Sequence, residues 1–344
     1  MRIAIITLQL HTNCGGVLQA YALQTVLQRM GHKVEILQKD EIVPVPKGLT
    51  ALRKYLSRSF RRLLPGRRDL EVRREERINR EFPIVGGEFL KFFDKYLSIR
   101  YIRSFDEITP LDYDAFVVGS DQVWRPRYNP DLFHSYLDFT RGWDVRRIAY
   151  SVSFGTAAWE YSQSESSMAS RLASVFDALS FREGSGCDNC RMHFGLASEC
   201  MPDPTLLLQA EDYLSLVRAD FPEKEAETPA VFEYFLDKLP SDPRGRGPVA
   251  ERIQAGPQKW LQNIIGADLI VTDSFHACVF ALLFHKNFVV TRNDNRGFAR
   301  IEDLLGHFGL LDSMGADSTT DWAAVDEKLE SLRSKALNFL ESKL

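Results

Sequence analysis

The stretch that most constrains the fold is Ala267 to Val290, "ADLIVTDSFHACVFALLFHKNFVV", an apolar run broken only by a few polar residues. It reads as a buried strand (Leu269 to Thr272), a tight polar turn, an apolar helix (Ala277 to Phe284) and a second buried strand (Asn287 to Thr291). In an open α/β sheet, the loop leaving the carboxyl end of a strand lines the ligand crevice. That puts Asp273, Ser274 and His276 where chemistry usually sits, with His276 the first candidate. Capping of the helix by Asp273 or Ser274, with His276 bonded to a nearby carbonyl, accounts for the same pattern.

The amino terminus repeats the theme. A strand (Arg2 to Thr7) leads through "LQLHTNCGG" to a periodic helix (Val17 to Met30), which Gly31 ends before the strand "HKVEIL". This βαβ unit has neither G-x-G-x-x-G nor G-x-x-x-x-G-K-S/T, so dinucleotide and Walker phosphate loops are absent. "DAFVVGSDQVW" and "RRIAYSVSFG" supply strands ending in Gly119-Ser120-Asp121 and Ser151 to Gly155. A helical stretch (Ser164 to Ala178) then leads to "ALSFREGSG" and "ECMPDPTLLL". Several strands thus end in small or polar loops, as in a doubly wound sheet with a ligand edge. Prolines, glycines and charges between Phe221 and Pro257 mark the crossing into a second domain. The expected division is 1–220, with a basic helical insertion at 50–82; then 221–320; then an amphipathic helix in 321–344, free to pack back on the first domain.

With 344 residues, 44% hydrophobic and 26% charged, this is an ordinary globular composition rather than a disordered or fibrous one. A net charge of -4 argues against a molecule that binds polyanions over its whole surface. No apolar run reaches membrane-spanning length, and "MRIAIITLQL" is too short for a signal peptide, so a cytoplasmic protein is expected. Five cysteines make no disulfide framework. Cys187 and Cys190 form one C-x-x-C with no second pair, which falls short of the four ligands of a structural zinc site, so no metal is expected. Arg53 to Arg80 holds eleven Lys or Arg against four acids, with apolar residues at near-helical spacing from Leu52 to Leu64. This segment reads as a pair of solvated amphipathic helices, or as a surface that meets an anionic polymer, a lipid-linked substrate or the inner face of a membrane. Nucleic acid is not expected, because no reading motif accompanies the charge.

Seven segments in order, "HTNCGGVLQAYALQ", "VVGSDQVW", "IAYSVSFG", "LSFREGSG", "PDPTLLL", "ADLIVTDSFHACVF" and "RIEDLLGHFGL", resemble the polysaccharide pyruvyl transferase family over most of the chain. The resemblance implies a GT-B-like α/β fold, with two Rossmann-like doubly wound domains facing across a cleft, the second one small. It also implies transfer of the enolpyruvyl carbons of phosphoenolpyruvate onto two hydroxyls of a glycan sugar, forming a ketal and releasing phosphate. Phosphoenolpyruvate is then a substrate and no cofactor is implied. The acceptor is a glycan or lipid-linked oligosaccharide, and nothing in the sequence sets the oligomeric state.

His276 matches the family's catalytic histidine. A histidine suits the proton delivery this reaction needs, because it can carry a proton near neutral pH and give it up. The donor's carboxylate and phosphate call for arginine, with Arg182 first, Arg300 next and Arg296 third. Some members carry an arginine two residues before the histidine; here that position is Ser274. Asn13, Gly15 and Gly16 precede a helix amino terminus suited to an anion. Ser120, Gln122 and Trp124 suggest an acceptor side, with the indole stacking on a pyranose and Asp121 orienting or deprotonating the attacking hydroxyl. Asp203, before Pro204, reads as a turn former. A nucleotide-sugar glycosyltransferase or epimerase, and a non-catalytic partner of the same fold, stay open beside this reading.

Overall fold

The computed structural model describes residues 1–64, 70–221, 230–236, 254–293 and 297–344. Its larger sheet has seven parallel strands: β1 (Arg2–Ile6), β2 (Lys33–Lys39), β3 (Ile99–Ile102), β4 (Ala115–Val118), β5 (Arg146–Val152), β6 (Ala178–Phe181) and β7 (Glu199–Cys200). Their spatial order is β3-β2-β1-β4-β5-β6-β7. The order reverses between β1 and β4, so the loops leaving these two strands flank the crevice of a doubly wound sheet. Both strands are buried on both faces and carry near-continuous apolar runs, as parallel sheets require. The helices of this half are α1 (Cys14–Arg29), α2 (Gly48–Arg62), α3 (Arg74–Val85), α4 (Gly87–Tyr96), α5 (Gln163–Ala173), α6 (Gly184–Asn189) and α7 (Ala210–Asp220).

The smaller sheet, in the order β11-β10-β9-β8, contains β8 (Val231–Tyr234), β9 (Leu269–Thr272), β10 (Asn287–Val290) and β11 (Gly315–Ala316). β8, β9 and β10 are parallel, and β11 closes the edge antiparallel to β10. The remaining helices among the described residues are α8 (Pro257–Gly266), α9 (Phe275–Leu283), α10 (Ala299–Phe308) and α11 (Trp322–Lys343). Every residue of α9 is buried, because it is apolar on all sides and packs between the two halves. One apolar cluster runs through both halves, joining Val17 and Leu18 of α1 to Trp260 of α8 and Phe280 of α9. α11 returns to the larger half, where Arg333 donates to the carbonyls of Leu206 and Leu208, both at 3.2 Å.

Besides α9, which starts at Phe275 rather than Ala277, two helices have boundaries that differ from the sequence expectation. α1 starts at Cys14 rather than Val17, because Asn13 caps it by accepting from Gly16 N at 3.2 Å, so both glycines lie inside the first turn. It ends as expected, at a Schellman motif around Gly31 (φ +88), where Gly31 N bonds Gln28 O and His32 N bonds Leu27 O. The helix expected to reach Ala178 stops at Ala173. Asp177 there pairs with Arg147 through both its backbone N and its carboxylate, which turns the chain into β6. No helix among the described residues is long and apolar enough to cross a membrane.

Candidate functional site

A cavity of about 490 Å³ opens where the carboxyl ends of the two sheets meet. The larger half lines it with Thr7, His11 and Asn13 after β1, Lys39 at the end of β2 and Glu41 to Pro44 after it, and Asp121, Gln122 and Arg127 after β4. The smaller half contributes Ser274, Phe275 and His276 after β9, with Arg300 from α10. Close backbone approaches fix this convergence. A Cβ on Gly119 would stand 2.1 Å from Tyr150 O, and one on Gly297 would stand 1.8 Å from Gly155 O in the opposite half. Both glycines also have positive φ, so the two loops admit no larger residue without shifting.

At the floor of the cavity is a buried cluster of opposed charges. Arg182 Nη1 donates to Asp203 Oδ2 at 2.7 Å and Nη2 to Asp121 Oδ1 at 2.9 Å. Arg300 Nη1 approaches the same Asp121 oxygen at 3.4 Å, and its Nε donates to Gly297 O at 3.2 Å. Both guanidinium groups lie over the ring of Phe275, at 4.4 and 5.9 Å. Asp203 Oδ1 accepts from Thr205 N and Oγ1, while Ser120 Oγ stands 3.2 Å from Oδ2. His276 Nε2 stands 3.6 Å from Asp203 Oδ2. At that distance the contact is not a hydrogen bond, and Nε2 has no hydrogen-bond partner.

Burial alone would raise both aspartates. For Asp203, the His276 ring, Arg182 and the Thr205 amide outweigh it and hold the carboxyl far below the usual range. For Asp121, Arg182, His276 and Arg300 do the same. Burial and the like charge of Arg182 bring Arg300 down to about 10, against the pull of Asp121 and Glu183. An anion bound beside Arg300 would relieve that repulsion. Burial pushes the Glu183 carboxyl up despite Arg182, although its Oε1 accepts from Ser153 Oγ at 2.6 Å; its Oε2 has no partner.

The structure brings His276, Asp121, Arg300, Ser274, Asn13 and Gln122 to one cavity. Ser274 also caps α9, accepting from Ala277 N at 3.4 Å. Gly15 does not line the cavity; it makes room for the histidine, since a Cβ there would stand 2.2 Å from His276 Nδ1. The Gly16 amide is taken by the Asn13 cap.

Four expectations need correction. Trp124 is wholly buried, stacked on Tyr136 at 4.3 Å and donating to Ser135 O, so it cannot stack on a sugar. Ser120 is likewise buried, its hydroxyl donating to Ser151 O, so it offers no acceptor contact. Both Nη atoms of Arg182 are committed to aspartates and the side chain does not line the cavity, which makes it a clamp between the loops rather than a donor contact. Asp121, held ionised by two arginines, is a poor base and is suited to orienting a partner. Arg296 lies outside the described residues.

Asp203 is the residue that sequence reasoning underrated. Its turn-forming role is real, but its second oxygen faces His276, a relation between positions 73 residues apart that local patterns do not carry. His11 and Arg127, also at the cavity, sit in loops after strands, and Lys39 ends β2; reading for ligand edges could have flagged all three. Among the described residues no cluster of three His, Cys, Asp or Glu side chains is placed to hold a metal ion.

Two largely parallel sheets facing across a cleft, with polar groups gathered at their carboxyl ends, define a GT-B-like α/β protein. The chain belongs to the polysaccharide pyruvyl transferase family, whose sequence model matches residues 13–295. Comparison with curated protein sequences returns no match. Among solved structures, the chain is similar to Arabidopsis thaliana UGT89C1 complexed with UDP-L-rhamnose (11% identity, 98% of this chain and 97% of that one, TM-score 0.48). It is also similar to UDP-GlcNAc 2-epimerase from Neisseria meningitidis bound to UDP-GlcNAc (10% identity, 98% and 94%, TM-score 0.44). A functionally uncharacterised protein from Klebsiella pneumoniae aligns over 68% of this chain and 85% of its own, at 12% identity and TM-score 0.41.

Proposed function

We propose that this protein transfers the enolpyruvyl group of phosphoenolpyruvate onto two hydroxyls of a glycan, with His276 as the general acid. The observation that carries this reading is His276 itself: a buried imidazole at the floor of the inter-sheet cavity, facing Asp203, in a chain of this family. A proton added to the methylene carbon turns it into a methyl group and leaves an oxocarbenium-like carbon. One sugar hydroxyl attacks that carbon and loses its proton. Phosphate then departs with its bonding electrons, and the second hydroxyl closes the ketal, releasing its proton in turn.

With Nε2 directed at Asp203, Nδ1 is the nitrogen left to deliver the proton. Asp203 is a positioning residue that keeps the ring oriented. Arg300, which lines the cavity beside Asp121, receives the donor's anionic groups, with Arg127 and Lys39 nearer the opening. Ser274 and Asn13 border the donor, while Gln122 and Asp121 orient the acceptor hydroxyls. The acceptor is a glycan, and a lipid-linked one fits a protein working at the inner face of a membrane.

The test measures phosphate release from phosphoenolpyruvate with candidate glycans, together with thermal shifts against phosphoenolpyruvate, phosphate and UDP-sugars. Phosphoenolpyruvate should raise the melting temperature, as any ligand in excess over its dissociation constant does, and release should vanish in His276→Ala. A shift with a UDP-sugar and none with phosphoenolpyruvate would instead identify a nucleotide-sugar enzyme.

A further inference from the structure

Helix α2 is built inside out. Its residues Leu49, Leu52, Leu56 and Phe60, with Leu63 at its C-cap, recur at spacings of three and four, which places them on one stripe of the helix. All five are exposed, Leu49 at 84% and Phe60 at 70%, and no residue of α2 is buried. The charged side faces inward instead. Arg58 forms a bidentate pair with Glu75 of α3 at 2.7 and 2.8 Å, Lys54 adds a third contact to the same carboxylate at 2.8 Å, and Tyr55 bonds Glu76. Burial disfavours the Glu75 carboxylate, but Arg58 and Lys54 outweigh it and hold the carboxyl down at about 2, so this inward anchorage persists at neutral pH. An amphipathic helix whose polar face is tied to the protein leaves its apolar face for something else.

We infer that this stripe docks on an anionic lipid surface. α2 contains no acidic residue; Arg53 stands exposed beside the stripe and Arg61 exposed further round the helix, both available to negatively charged headgroups while the leucines and Phe60 enter the acyl boundary. A second copy of the same face would set these cations against their own kind. The docked helix lies next to the cavity, because Asn79 of α3 bonds both the N and O of Val43, and Val43 and Pro44 line the opening. The inference stands whether or not the cavity performs pyruvyl transfer.

The experiment is co-sedimentation of the full chain with phosphatidylcholine vesicles, with and without phosphatidylglycerol. Binding is expected only to the anionic vesicles, to weaken with salt, and to fall about tenfold or more in the doubly substituted Leu56→Asp, Phe60→Asp protein. Arg53→Glu with Arg61→Glu should weaken it as well, whereas Leu111→Asp, at an exposed leucine outside α2, should not. If the acidic variant does not fold, a Leu56→Cys protein carrying an environment-sensitive dye reads the same contact, with a blue shift on anionic vesicles expected. Absence of both sedimentation and dye shift, or equal binding to neutral vesicles, overturns the inference. So does a dimer in solution that Leu56→Asp, Phe60→Asp converts to monomer while vesicle binding is unchanged.

Discussion

Asp203 Oδ2 faces His276 Nε2 at 3.6 Å across the boundary between the two sheets, and the same oxygen holds Arg182 at 2.7 Å. One carboxylate thus ties the histidine of the smaller half to the clamp of the larger.

Asp203→Asn therefore acts on both. Leaving Arg182 with one buried countercharge costs on the order of 3 kcal/mol. Activity should fall through kcat more than through KM for phosphoenolpyruvate. The acid limb of stability should also change. Asp203 and Asp121 have depressed folded-state pKa values, so their contribution is present above the unfolded value near 4 and is lost as pH falls below it toward the folded value. Melting curves from pH 7 to pH 3 should show wild type losing stability over the acidic range more steeply than the variant does. Parallel curves would remove the assigned pairing.

Glu183→Gln runs the other way. The folded pKa is raised, so the wild-type carboxylate costs stability increasingly as pH rises from the unfolded value through the folded one. Glutamine keeps an oxygen for Ser153 Oγ and removes the charge. The variant's melting temperature should match or fall below wild type near pH 4 and gain on it steadily toward pH 8; a pH-independent difference would contradict the burial argument.

Neighbouring glycines separate room for the histidine from helix propensity. Gly15→Ala would push a methyl into His276 Nδ1, so phosphate release should drop at least tenfold, in line with the loss of a well-placed proton donor. In Gly16→Ala the nearest atom is 3.5 Å away, an ordinary contact, and alanine should leave activity intact with a gain of up to about 1 kcal/mol. Similar activities in the two proteins would mean that the ring has another place to go.

Trp124→Phe is expected to lower stability by about 1 to 3 kcal/mol through the lost hydrogen bond to Ser135 O and poorer stacking on Tyr136. KM for the acceptor should not change. A tenfold rise in KM at unchanged melting temperature would return the indole to the sugar side.

What the sequence disclosed and what it withheld divide along a physical line. The strand-turn-helix at Leu269 to Leu283 was readable because buried parallel strands and a buried helix demand long apolar runs, and the polar interruption marks the crevice. Trp124 misled, because an indole beside Asp121 and Gln122 has the same local signature whether it faces a sugar or Tyr136. Asp203, Arg182 and Asp121 converge from three strand ends, and nothing in a one-dimensional pattern distinguishes a carboxylate that ends a turn from one that also faces a histidine. The orientation of α2 was equally hidden: periodicity reveals that a helix has two faces, and only the position of Glu75 shows which one is turned inward.

The contact between Gly155 O and Gly297 acts as a hard stop for the cleft. With two backbones already touching on that side, the smaller half has no room to close further there. If the acceptor enters this cavity as proposed, adjustment to acceptors of different bulk falls to loops outside that contact, such as Glu41 to Pro44 and Arg127 to Asp131, which border the cavity. On the proposed reading, breadth of acceptor choice becomes a property of that lip of the opening, and lengthening or shortening those two loops is the direct route to retuning it.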